Sequence, residues 1–285
     1  MPSRSAPGIV LVISCFFLVN SVKRLTVFVK GNVDVRDSLH FCRIGGEVVW
    51  NGINEVLRAR DVERSVRVKH ETWTRSDALL ECCGTVPAAF AGRDLPLGAY
   101  SLASQFSNAI FTTTADAIVL SIQPDVTMSL MRHRREKFLF YPSDVETWAA
   151  DDQVWLRSDY ETSGMLSVDV AMNNLAALIA RIRDHSEAPI LIYNLSPIIP
   201  GEQVHCYAGL GETFSTRIRK FNLALAELSE DSGISIIDVD AILARHGADA
   251  LKLDVVHLTP AGYRLLAEEV VRVLDDLGIL HEAAV

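Results

Sequence analysis

The sequence predicts a three-layer α/β/α protein, a parallel sheet of about five strands covered by helices on both faces. Two observations predict it. Continuous apolar runs recur along the chain, among them TVFV, AIVLSI and ILIYNL, as strands buried on both faces require. Between them lie longer stretches with apolar residues at helical spacing. No internal repeat, low-complexity tract or linker breaks the alternation. One domain over residues 24–285 is therefore expected, behind an apolar extension at 1–23.

Taken in order, the strands are expected at Leu25–Lys30, Val66–His70, Ala117–Gln123, Pro189–Leu195 and Ile234–Val239. A helix over Glu47–Arg60 would place Val48, Val49, Ile53, Val56 and Leu57 on one face. Another over Val168–Asp184 repeats Ala171, Leu175, Leu178 and Ile179 at helical spacing. Thr213–Asp231 and Pro260–Leu277 read as the last two long helices, the final one with Pro at its first position and Thr259 as cap. Lys137–Leu166 breaks the rhythm. It sets Phe138, Phe140, Tyr141, Trp148, Trp155 and Tyr160 among acids. Either it lies over a site at the sheet edge or it is a packed loop with aromatic anchors.

Bulk properties exclude several classes. The chain has 285 residues and a net charge of −9, against the basic face that nucleic-acid binding needs. The basic piece Met131-Arg132-His133-Arg134-Arg135 reads as a solvated helix end. Five cysteines (Cys15, Cys42, Cys82, Cys83, Cys206) make an odd count without a Cys-x-x-Cys pair, so neither a disulfide framework nor a zinc site is expected. His40, Cys42 and His70 lack ligand spacing, and Ala208–Glu212 lacks the glycine spacing of a dinucleotide fingerprint. Gly8–Val19 is apolar but too short for a stable membrane span, and no Ala-x-Ala-like cleavage site follows it. A cytoplasmic protein is expected, the alternative being export or tethering through residues 8–20.

The chemistry is carried near the C-terminus by Asp254-Val255-Val256-His257-Leu258-Thr259-Pro260-Ala261-Gly262-Tyr263. A carboxylate three residues before an imidazole can bond its near nitrogen, fix the tautomer and stabilise the imidazolium. The far nitrogen is then free to take a proton. An ion pair that only caps the last helix is the bland reading of the same residues. This block resembles the last signature of the SGNH (GDSL-type) hydrolase family. The resemblance implies a flavodoxin-like sheet and a serine esterase or acyltransferase acting on an acylated small molecule, lipid or sugar, with no cofactor or metal.

The resemblance also implies a serine after the first strand. Asp37-Ser38-Leu39 keeps three letters of the family's Gly-Asp-Ser-Leu, which makes Ser38 the nucleophile, His257 the base and Asp254 its partner. A rival register puts Gly31-Asn32-Val33 at the strand end and Val33 in the nucleophile position, where the usual chemistry is absent. On the oxyanion side the family's Gly-x-Asn-Asp falls on Gln123-Pro124-Asp125-Val126. Gln123 and Asp125 are the candidates there, although an ionised carboxylate cannot donate to an oxyanion. Gly84, Gly92 and Gly98 are possible backbone donors. Asp238 and Asp240 are expected to cap or support. Asn194, Ser196, Arg217 and Arg219 could meet an anionic substrate or serve helix surfaces. A catalytically inactive binding protein and an acyltransferase of the same fold stay open as alternatives.

Overall fold

The computed structural model describes residues 24–202 and 211–281. The apolar extension, Cys15, Cys206 and the first residues of Ala208–Glu212 lie outside the described residues. The chain runs β1 (Leu25–Lys30), α1 (Val33–Leu39), β2 (Cys42–Ile44), β3 (Glu47–Trp50), α2 (Ile53–Ala59), β4 (Val66–Glu71), α3 (Ser76–Glu81), α4 (Leu102–Gln105), β5 (Ala117–Ser121) and α5 (Gln123–Thr127). It continues through β6 (Met131–His133), β7 (Leu139–Phe140), α6 (Ala150–Asp159), β8 (Tyr160–Thr162), α7 (Val168–Arg183) and β9 (Ile190–Tyr193). Last come α8 (Phe214–Ser232), β10 (Ser235–Ile237), α9 (Val239–His246), α10 (Ala248–Leu251) and α11 (Pro260–Asp276).

Five strands form the parallel sheet in the order β10-β9-β5-β1-β4. Alternate side chains divide between two cores, as the pleat dictates. Val27, Val29, Ala117, Val119, Leu191 and Tyr193 meet α1, α2, α9 and α11. Phe28, Ile118, Leu120, Ile190 and Ile192 meet α7 and α8 on the other face. Strand order reverses direction between β1 and β5, and ligands of open α/β sheets bind at such a switch point, outside the carboxyl ends of the strands.

Two elements depart from expectation, and a third open reading is decided. The helix expected over Glu47–Arg60 is a strand followed by a shorter helix. Gly45 and Gly46 both take positive φ (58° and 89°), which makes Ile44–Glu47 a two-residue hairpin turn joining β2 to β3. Gly52, at φ 75°, then breaks the chain before α2; a Cβ there would lie 2.3 Å from the carbonyl oxygens of Leu39 and His40. The basic piece at 131–135 is not a helix end, because β6 pairs antiparallel with β7 and β8. Within 137–166 the aromatics face each other: Phe140, Trp148, Trp155 and Tyr160 share a core with Phe90 and Phe106. Those rings form a packed subcore, the packed-loop reading of this segment, with Trp155 also bordering a surface pocket.

No helix among the described residues is long and apolar enough to cross a membrane. Likewise, no group of three or more metal-ligating side chains occurs among them. Cys42 and Cys82 are buried free thiols, and Cys83 is exposed.

Candidate active site

Polar residues gather at the carboxyl edge of the sheet, where strands stop and apolar cover gives way to loops. The turn between α10 and α11 is tied down by its own backbone: Leu253 N–H donates to the His257 carbonyl at 2.9 Å and Thr259 N–H to Leu251 at 2.8 Å. Thr259 then caps α11, its side chain accepting from Gly262 N–H, with Pro260 pre-set for the first turn. Gly262 eases the packing here, since a Cβ would sit a tight 3.1 Å from the Leu251 carbonyl oxygen and from Leu258 Cβ.

On this turn the expected pair forms. Asp254 Oδ2 lies 2.7 Å from His257 Nδ1, while Asp254 Oδ1 accepts the backbone N–H groups of Val256 and His257, both at 2.8 Å. Partial burial works against the carboxylate charge, yet these bonds hold its pKa below the ordinary value. The two side chains are 52% and 48% exposed, so the imidazole is open to a ligand from solvent.

Ser38 is elsewhere. The helix begins immediately after Gly31-Asn32, so Ser38 falls more than one turn inside α1, four residues after Asp34, on the face turned toward the sheet. Its exposure is 0%. Its hydroxyl donates to the Asp34 carbonyl at 2.7 Å and lies 3.1 Å from the hydroxyl of Tyr193 on β9. A serine so enclosed is a helix residue bonding back to its own turn. The assignment of Ser38 as nucleophile is therefore corrected: no substrate carbonyl can reach that oxygen in this conformation. The rival register is the one the backbone adopts, with Val33, a half-buried aliphatic residue, opening α1 at the strand end.

Beside Val33 lies a polar cluster that sequence reasoning only partly found. Asn32 Nδ2 donates to Gln123 Oε1 at 2.7 Å across the β1–β5 switch point and also contacts the Met128 thioether at 3.5 Å. The Gln123 amide nitrogen turns to Thr127 Oγ1. Asp34 is fully buried, accepts a bond from the Ser121 hydroxyl, and burial raises its pKa. Asn32 Oδ1 and Asp34 Oδ1 are buried with no partner among the described residues. Asn32 carries no hydroxyl and no motif of its own; its place directly after β1 is the signal the sequence offers.

Asp125 is also corrected. It is wholly buried in α5, accepts the Ser76 N–H at 2.7 Å and is not turned toward any open edge. Burial pushes its carboxyl up to about 7. Two suspected ligand contacts, Asn194 and Arg217, are likewise structural. Asp238 caps α9 as expected and accepts from Asn194. Arg217 is buried and donates to the carbonyls of Asp125, Val126 and Leu166. Lys252, also missed, is buried under the Asp254–His257 turn. Its ammonium reaches the carbonyls of Ser196 (2.8 Å) and Val255 (3.5 Å), and burial lowers its pKa to about 8.

The model of the GDSL-like Lipase/Acylhydrolase family matches residues 139–265, a span that contains the Asp254–His257 turn. The match spans less than half of the 285 residues and marks a likeness to that family in the C-terminal part of the chain. Curated proteins yield no match to the sequence. Among solved structures, an alpha/beta hydrolase enzyme from the metagenome of Lake Arreo, Spain, is similar at 17% identity and TM-score 0.50, over 90% of this chain and 97% of that one. A variant of an acetyl-xylooligosaccharide esterase from Geobacillus stearothermophilus is similar at 13% identity and TM-score 0.50, over 93% and 98%. These likenesses establish a shared fold. The family match leaves out β1, α1 and α5, the segments that carry the expected nucleophile and oxyanion residues. The Asp254–His257 pair lies within the matched span.

Proposed function

We propose that the chain acts on acyl esters at the carboxyl edge of its sheet without an acyl-serine stage. His257 serves as general base directly toward the attacking water. One observation carries this: the imidazole is oriented by Asp254 and open to solvent, whereas the hydroxyl of Ser38 is shut in the core. In the step, His257 Nε2 takes a proton from water as its oxygen bonds to the ester carbonyl carbon, and Asp254 stabilises the resulting imidazolium. The imidazolium returns the proton to the departing alkoxide as the C–O bond breaks, leaving acid and alcohol. The Asn32–Gln123 amide pair is the candidate for the oxyanion side. Asn32 has one N–H on a thioether, a weak acceptor, and that donor is the one most readily given to a developing negative charge.

Hydrolysis of 4-nitrophenyl acetate tests this reading. General-base assistance contributes about 10²–10⁴-fold, so turnover should fall by about a hundredfold in His257→Ala, and pre-steady-state traces should show no burst. Turnover equal in the two proteins removes the proposal. A second reading, a binding protein without turnover, is favoured by the engagement of both ends of the Gln123 amide within the protein. It predicts saturable ester binding with no rate above buffer.

A further inference from the structure

At the opposite end of the sheet from His257, the starts of β1 and β4 border a groove of about 520 Å³. Its walls carry Arg24, Arg58, Arg64 and Arg67 together with His40, against the single carboxylate of Glu63. None of these four guanidiniums makes an ion pair or a side-chain hydrogen bond among the described residues. Elsewhere among the described residues Arg36, Arg75, Arg93, Arg134, Arg264 and Arg272 pair with carboxylates, while single exposed arginines such as Arg135, Arg157 and Arg219 do not. What sets the groove apart is the gathering of four fork-shaped cations along one concavity of a protein of net charge −9.

The groove rests on fixed elements. Arg58 lies in the last turn of α2, Arg67 lies in β4, and Arg24 and Arg64 stand just before the two strands. Asn54 fastens α2 to β4, its amide accepting from Val66 N–H at 2.8 Å and donating to the Val66 carbonyl at 2.7 Å. Walls held this way present side chains from rigid scaffolding, as ligand sites need. The volume falls in the range of small-molecule pockets, roughly 300–1,000 Å³. Planar guanidiniums match oxyanions that accept two parallel N–H bonds, phosphoryl groups above all.

We infer that this groove is a binding site for a phosphoryl group carrying two or more negative charges, separate from the ester site. The phosphoryl group belongs to a soluble phosphate ester or to a phospholipid headgroup, and the test separates the two. Calorimetric titration of the full chain with inorganic pyrophosphate should give saturable one-to-one binding that weakens as salt is raised. The double variant Arg64→Ala/Arg67→Ala should bind more than about tenfold more weakly, since each charge-assisted bond counts. Arg64→Lys/Arg67→Lys, which keeps charge and loses the fork, should fall between. The circular dichroism of all three proteins should agree. In parallel, co-sedimentation with phosphatidylcholine vesicles containing phosphatidic acid, against phosphatidylcholine alone, reports the lipid source. Vesicle capture lost in the double alanine variant, without pyrophosphate binding, assigns the phosphoryl group to a headgroup. No saturable binding in either arm, or equal binding by the folded double variant, overturns the inference.

Discussion

Ser38→Ala separates a structural serine from a nucleophilic one. The Ser38 hydroxyl is fully buried and is the hydrogen-bond partner of the Tyr193 hydroxyl at 3.1 Å, itself 0% exposed. Removing it leaves the phenol without a partner in the core. An orphaned buried hydroxyl costs about 1–3 kcal/mol, and each kcal/mol lowers the melting temperature by roughly 2–4 °C in a chain of this size class. Tyr193→Phe made on the Ser38→Ala background removes the orphan and should recover part of the loss, giving a coupling energy of about 1 kcal/mol in a double-mutant cycle. Urea denaturation followed by tryptophan fluorescence measures all four corners. Ester turnover in folded Ser38→Ala should match the parent. If Ser38→Ala keeps full stability and loses turnover, the hydroxyl is exposed to substrate and the structural assignment is wrong.

Asp254→Asn should keep the turn, because one oxygen still accepts the backbone N–H groups, yet place a donor against the ring. Turnover is expected to drop by at least about a hundredfold with an unchanged urea midpoint, and a drop in both would mark a purely structural carboxylate. Asp125 titrates near 7 in the folded protein, well above its unfolded value. The folded state therefore holds its proton more tightly, and this contribution to stability is full below about pH 4 and lost as pH rises through about 7. Comparison of urea midpoints at pH 5 and pH 8 should show that slope flattened in Asp125→Asn, and an identical slope in both proteins would refute the assignment. Gly52→Ala forces a Cβ against two carbonyl oxygens at 2.3 Å from a left-handed backbone. It should destabilise by about 3 kcal/mol or more, and a midpoint within error of the parent would show that the Leu39–Gly52 approach is not rigid.

Much of the architecture was legible because its signal is periodic. All five core strands and the helices α7, α8 and α11 follow from apolar runs and helical spacing. The hairpin at 42–50 was misread because Val48 and Val49 fit a helical face when Gly45-Gly46 is not read as a turn. At the site, Asp254 and His257 were legible because both lie on one turn, where three residues of spacing fix the geometry. Ser38 was not, because its role depends on where α1 starts. The same Asp-Ser-Leu letters signify a nucleophile at a strand end and a core hydroxyl one turn into a helix. Asn32 and Lys252 were missed for a related reason: burial and partners across the sheet edge give them their character, and spacing along the chain does not report that.

Intact-mass analysis after incubation with a fluorophosphonate most directly tests whether this SGNH-fold chain works without an attacking serine. The unmodified mass is expected, together with measurable ester turnover that depends on His257. A single stoichiometric adduct mapping to Ser38, lost in His257→Ala, would contradict the account.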